Sequence, residues 1–207
     1  MTSSLRYNKS MKNIVLAFTG ASGAPIGIRV LKYLLKVTSV HLVISSNTFS
    51  MIADETGCDW AGDTQIKLRK QFGTDRLVFY EDGQMDAPIA SGSFKTEGML
   101  IVPCSMKTLS GVASGYANNL IERAADVTIK EGRHLLLAPR EMPFSAIHLE
   151  NMLKLARLGV TIAPPVPAFY PRPENLESMI DFITGKILDS FGIENEMFRR
   201  WGKNRET

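Results

Sequence analysis

The sequence predicts an α/β domain built on a doubly wound, mainly parallel sheet. Short apolar runs alternate with amphipathic helical runs along the whole chain. Several apolar runs are continuously hydrophobic, as strands covered on both faces should be. No internal repeat or linker-like stretch interrupts the alternation. Right-handed crossovers then place helices on both faces, and ligands belong beyond the carboxyl ends of the strands.

The elements follow in order. "NIVLAFT" reads as a strand over 13–19, and a glycine-rich turn leads from it into helical periodicity over 26–37. "VHLVIS" gives a second strand over 40–45 and a helix over 48–56. A third strand is expected over 76–80, followed by a loop over 80–94 rich in Gly, Pro and Ser; loops of that length are usually functional or mobile. "MLIVP" supplies a fourth strand over 99–103, with helices over 106–115 and 120–130. The fifth strand is "HLLLA" at 134–138, then come a helix over 145–158, a strand over 160–163 and a closing helix over 175–191. Residues 1–11 are expected as a flexible tail, 12–201 as one α/β domain and 202–207 as a second tail.

Composition narrows the function classes. The chain has 207 residues, 44% of them hydrophobic and 22% charged, which is enough to bury a sizeable core. A formal charge of +3 is too small to argue for nucleic acid or a membrane surface. No apolar run approaches the ~18–20 residues a membrane span needs. The basic, Ser-rich start has no apolar core of a secretory signal. Cys58 and Cys104 form neither a disulfide framework nor a metal spacing, so a reducing, cytoplasmic setting is expected.

The turn "FTGASGAPIG" resembles a dinucleotide fingerprint but fails its tests. Its spacing is G-x-x-G-x-x-x-G through Gly20, Gly23 and Gly27, not G-x-G-x-x-G. The second strand ends in Ser45, Ser46 and Asn47, with no acid for an adenosine ribose. No tyrosine is followed four residues later by lysine, as a short-chain dehydrogenase requires. Small and hydroxyl residues remain at the strand ends: Gly20, Ala21 and Ser22, then Ser45, then Ser105 and Thr108 in "PCSMKTLSG". Such a set suits the single phosphate of a mononucleotide such as FMN, although each hydroxyl can equally be a helix N-cap.

Charge adds a second feature. Arg123 and Lys130 fall on one face of a helix, and Arg140 and Glu141 follow the fifth strand directly. Arginine suits phosphate, and a glutamate beside bound phosphate favours its protonated form and so has the character of a general acid. An Arg–Glu ion pair at a helix start is the plain alternative.

The stretches "TGASGA", "ASGS", "PCSMKTLSG", "ERAADVTIKE", "PREMPFSAIHLENMLKLARLG", "PPVPAFY" and "RWG" together resemble the UbiX family of flavin prenyltransferases, formerly labelled 3-polyprenyl-4-hydroxybenzoate decarboxylases, from about Met11 to Trp201. The resemblance implies a Rossmann- or flavodoxin-like three-layer sandwich assembled as a homododecamer with sites at subunit contacts. It implies a metal-independent transfer of a dimethylallyl group from dimethylallyl monophosphate to N5 and C6 of reduced FMN. The prenylated FMN would serve a UbiD-type decarboxylase, as in ubiquinone biosynthesis. FMN would be held by Gly20, Ala21, Ser22, Ser45, Ser105, Met106, Lys107, Thr108 and Arg140. The prenyl phosphate would meet Ser91, Arg123, Lys130, Arg140, Tyr170 and Lys186. Glu141 would protonate the departing phosphate, Ser22 and Glu55 would handle protons near the flavin, and Trp201 would offer an aromatic face to an allylic cation. Lys186 stands where many family members carry arginine, which keeps the charge and loses the bidentate fork.

The chemistry is consistent with these residue types. The chain offers no D-D-x-x-D cluster for Mg²⁺, so fixed cations and the Tyr170 hydroxyl would stabilise the leaving phosphate instead. Other polar residues read as structural: His148 and Glu150 lie on a helix with apolar Ile147, Leu149, Met152 and Leu153 and suit a structural or subunit-interface role, Cys104 ends a buried strand, and His41 and His134 sit at strand starts, away from the expected site. Lys107 is either a flavin neighbour or a helix-start residue. Two further functions stay open, an FMN-dependent aromatic acid decarboxylase and a non-catalytic subunit that delivers flavin.

Overall fold

The structure, a computed structural model, describes residues 13–202. The expected tails at 1–11 and 203–207 lie outside the described residues; Gly202 is described. Among the described residues, six parallel strands form one sheet: β1 (Asn13–Phe18), β2 (Ser39–Ile44), β3 (Leu77–Glu81), β4 (Gly98–Cys104), β5 (His134–Pro139) and β6 (Thr161–Ile162). Their spatial order is β3-β2-β1-β4-β5-β6. The helices are α1 (Ala24–Val37), α2 (Phe49–Thr56), α3 (Thr64–Phe72), α4 (Met106–Ser114), α5 (Leu120–Lys130), α6 (Ala146–Arg157) and α7 (Leu176–Phe191).

Side-chain alternation along each strand assigns the two faces. Ile14, Leu16 and Phe18 of β1 join Leu100, Val102, Leu136 and Ala138 beneath α1, α2, α3 and α7. Val15 and Ala17 join Met99, Ile101, Leu135 and Leu137 beneath α4, α5 and α6. Continuous apolar strands therefore feed two cores, and the result is the three-layer sandwich of Rossmann-like folds. The order 3-2-1-4-5-6 reverses direction between β1 and β4, which opens a crevice at their carboxyl ends.

The expected strands all form. Helix α3 was not anticipated from the sequence. It is polar, burying only Thr64 and Leu68, so apolar periodicity barely marks it. The loop over 80–94 contains a short 3₁₀ turn, Pro88–Ala90, with Ala87 and Ile89 buried beneath it. Helix α6 buries Leu155 alone, and leaves Ile147, Leu149 and Leu153 exposed.

Candidate functional site

The four central strands bring one set of residues to one edge. Gly20, Ala21 and Ser22 follow β1; Ser45 follows β2; Ser105, Met106, Lys107 and Thr108 follow β4; and Arg140 follows β5. These strands are successive neighbours in the sheet, with β1 and β4 at the switch point. Backbone bonds stitch the edge together. Ser45 N–H donates to Phe18 O (2.9 Å), Thr19 N–H to Pro103 O (3.1 Å) and Arg140 N–H to Cys104 O (3.2 Å). Thr19, which sequence reading passed over, is a buried connector. Its hydroxyl donates to Pro103 O (3.1 Å) and accepts from Ser105 N–H (2.7 Å), fixing the start of α4 against the end of β1. Asp82 was also missed: its carboxylate accepts from Ser46 N–H (2.9 Å) and so holds the turn after β2.

The turn after β1 differs from a simple phosphate loop. The N–H groups of Gly23 and Ala24, which open α1, donate to one oxygen of Glu55 at 2.9 and 2.8 Å. A carboxylate supplied by α2 thus satisfies the orphan donors and the positive end of the helix, the place where the glycine pattern suggested an anion. Glu55 is thereby anchored beside Ser22, the half-buried residue preceding Gly23. Gly27 is a packing glycine, because a Cβ there would lie 2.4 Å from Val102 O. At Gly20 nothing lies within 4 Å of an added Cβ, so the backbone is open to close approach.

After β4, Ser105 caps α4, accepting from Thr108 N–H (3.2 Å) while donating to the Thr108 hydroxyl (3.1 Å). Lys107 and Arg140 are exposed. Among the described residues neither they nor Lys186 enter the ion pairs found. Two cations without acidic partners, short hydroxyls and an open Gly20 backbone at one crevice form a donor set that fits a phosphorylated mononucleotide such as FMN. Glu141 is exposed and accepts from Met142 N–H (3.0 Å).

The remaining site residues divide between the faces of the sheet. Arg123 and Lys130 ride on α5, over the second core. Arg123 donates to Ala90 O (3.0 Å) and pairs with Asp126 (2.9 Å), beside exposed Ser91; Lys130 lies 3.6 Å from Glu131. Tyr170 and Lys186 belong to the first-core face. The Tyr170 ring meets Phe182 of α7 and Trp201 edge-on, at 5.7 and 5.2 Å. Lys186 lines a cavity of about 330 Å³ with Pro164, Val166, Phe182 and Ile183. The single chain therefore gathers the residues of the strand-end crevice and separates the two groups of phosphate candidates.

The three histidines read as structural have visible partners. His148 completes a capping box with Ser145 at the start of α6. His134 bonds Thr161 (2.9 Å) and stacks on Phe191. His41 lies between the Tyr80 hydroxyl (3.0 Å) and Asn13 Oδ1 (3.1 Å), and burial lowers its pKa. Complete burial pushes the Cys104 thiol far up, so it stays protonated. Among the described residues no group of three or more His, Cys, Asp or Glu is placed to hold a metal ion, and no helix is long and apolar enough to cross a membrane.

Comparison with known proteins agrees with this fold. The family model described as Flavoprotein matches residues 2–190. The flavin prenyltransferase UbiX of Methanocaldococcus jannaschii is 46% identical over 189 residues, 91% of this chain and 98% of its own length. Among solved structures, a dodecameric FMN-dependent UbiX-like decarboxylase from Escherichia coli O157:H7 superposes with a TM-score of 0.83 at 44% identity, covering 91% of this chain and 98% of the other. AnUbiX (PadA1), solved with FMN and dimethylallyl pyrophosphate, has the same TM-score at 43% identity, with 92% and 97% covered. With this strand order, this cofactor edge and these identities over nearly its whole length, the chain belongs to the UbiX flavin prenyltransferase family.

Proposed function

We propose that this protein is a flavin prenyltransferase that joins the dimethylallyl group of dimethylallyl monophosphate to N5 and C6 of reduced FMN, without a metal ion. The observation that carries the reading is the crevice between β1 and β4. It combines an open Gly20 backbone, the Ser22–Glu55 neighbourhood and the cations Lys107 and Arg140, in a chain with 46% identity to a flavin prenyltransferase. Gly20, Ala21, Ser22, Ser45, Ser105, Met106, Lys107, Thr108 and Arg140 would hold FMN, which supplies the nucleophilic ring atoms.

In this mechanism the chain's own groups bind, orient and move protons. Arg140, with Arg123, Lys130 and Lys186, stabilises charge growing on the departing phosphate, and Tyr170 donates a hydrogen bond to it. Glu141 delivers the proton that lets phosphate leave. Ser22, placed by the Glu55-anchored turn, would help Glu55 accept the proton lost from C6, and the prenyl double bond would take up a proton as it closes there. Trp201, edge-on to Tyr170, presents an aromatic surface to the allylic group.

The same reading makes the protein a homo-oligomer, a dodecamer like its E. coli neighbour, with Ser91, Arg123 and Lys130 of one protomer completing the site of another. Separation of the phosphate candidates on opposite faces of the sheet supports it, as does the exposure of Met142 (87%), Phe169 (78%) and the apolar residues of α6. The product would pass to a UbiD-type decarboxylase, and the free thiols Cys58 and Cys104 suit a cytoplasmic location.

Anaerobic incubation with reduced FMN and dimethylallyl monophosphate tests the reading. Mass spectrometry of the released flavin should show one added five-carbon unit. An unchanged flavin mass with both ligands bound overturns it, and release of CO₂ from a 4-hydroxybenzoate-type acid would favour the decarboxylase. Glu141→Gln should slow turnover and leave FMN affinity within about twofold.

A further inference from the structure

Arg133 stands just before β5 and belongs to none of the site groups above. Its side chain is 12% exposed, and it is aimed at the backbone of the long β3–β4 loop. One terminal nitrogen donates to Gly92 O (2.7 Å), the other to Phe94 O (2.8 Å) and the Thr96 hydroxyl (3.3 Å). The two carbonyls belong to a tight turn closed by Phe94 N–H on Ser91 O (3.2 Å), and Thr96 lies just beyond it. Glu131 packs on the same turn, so closely that a Cβ at Gly92 would fall 2.2 Å from its carboxylate. Arg123 holds the preceding carbonyl, that of Ala90.

Residues 91–94 follow the 3₁₀ turn Pro88–Ala90 and are anchored at one end by the Phe94 ring, which meets His41 edge-on at 4.9 Å, while Arg133 holds the carbonyls of Gly92 and Phe94. The exposed Ser91 and Ser93 hydroxyls bond each other at 2.9 Å, and their direction depends on how the turn is held. A planar guanidinium can serve two carbonyls and a hydroxyl at once, which an ammonium on a flexible stem does poorly.

We propose that Arg133 is a positioning residue for prenyl phosphate: by clamping Gly92 O and Phe94 O it sets the direction of the Ser91 hydroxyl, bonded to that of Ser93, toward the phosphate, without touching the substrate itself. The inference rests on the prenyltransferase reading.

Arg133→Gln and Arg133→Lys test it in the full-length protein. Hydrogen exchange should rise in the peptide covering 90–97 in Arg133→Gln, with protection of β1 and β4 unchanged. The KM for dimethylallyl monophosphate should rise about tenfold, with kcat and the FMN Kd within about twofold of wild type. Arg133→Lys should recover part of the KM. Unchanged exchange at 90–97, or an unchanged KM in a variant that still turns over, overturns the proposal. So does parallel loss of FMN affinity and KM, which marks a general structural role. Failure of the wild type to prenylate FMN instead overturns the reading beneath it.

Discussion

Gly27→Ala distinguishes packing from ligand binding in the turn after β1. In an exposed helix interior this change should stabilise by about 0.5–1 kcal/mol, because alanine loses less conformational freedom. Here the new methyl would lie 2.4 Å from Val102 O and 3.0 Å from the Phe18 ring, both parts of the sheet. Normal carbon contacts are about 3.5 Å, so α1 must retreat by about 1 Å. That shift loosens Ala24, Ile28, Val30, Leu31 and Leu34, all buried beneath the helix. Overpacking of this kind costs roughly 1–3 kcal/mol, and the upper end applies because the nearest atom is backbone. The net effect is a loss of about 2 kcal/mol, or about 4–8 °C in Tm for a domain this size. Thermal unfolding followed by circular dichroism reads it, with Gly20→Ala as the control expected within about 1 °C. A Tm for Gly27→Ala at or above wild type would refute the packing argument, since the sign itself separates the two effects.

Three further outcomes are expected. Glu55→Ala strips the acceptor from Gly23 and Ala24 N–H and should cost on the order of 3 kcal/mol in urea unfolding; Glu55→Gln keeps an acceptor and should cost less than half as much, and equal losses would count against the capping role. Burial holds the pKa of folded His41 below its unfolded value, so the unfolded chain binds the extra proton and stability falls as pH drops below about 6.5. The loss of Tm between pH 7 and 5 should therefore shrink in His41→Gln, and an identical profile would exclude His41 as its source. With a disulfide-exchange reagent at pH 8, half-buried Cys58 should react in the native protein and Cys104 only after denaturation; two fast native thiols would contradict the burial of Cys104.

Much of the fold was legible because local pattern and final environment agree. β1, β4 and β5 carry no polar residue beyond Asn13 and His134, which open β1 and β5, apart from the buried Cys104, and their other residues are buried. The helices with strong apolar stripes, α1 and α5, were found with nearly their observed bounds. Helix α3 escaped because it lies on the surface, where propensity and caps act without a wide apolar face. The strand-end residues Ser22, Ser45, Ser105 and Arg140 were readable for a topological reason: in a parallel sheet every carboxyl end opens on one edge.

The sequence by itself determined the class of fold, the edge at which a ligand belongs and the exclusion of a dinucleotide dehydrogenase. These follow from period, order and the residue next to each strand. Only the tertiary structure decided that Glu55 caps α1 across some thirty residues, that Gly27 is a contact with β4, and that Lys186 and Arg123 lie on opposite faces of the sheet. It also decided that Arg133 reaches back about forty residues to hold the turn at Ser91. Such pairings depend on which strands become neighbours and in what register. Sheet assembly sets that relation, and a periodicity within one segment cannot encode it.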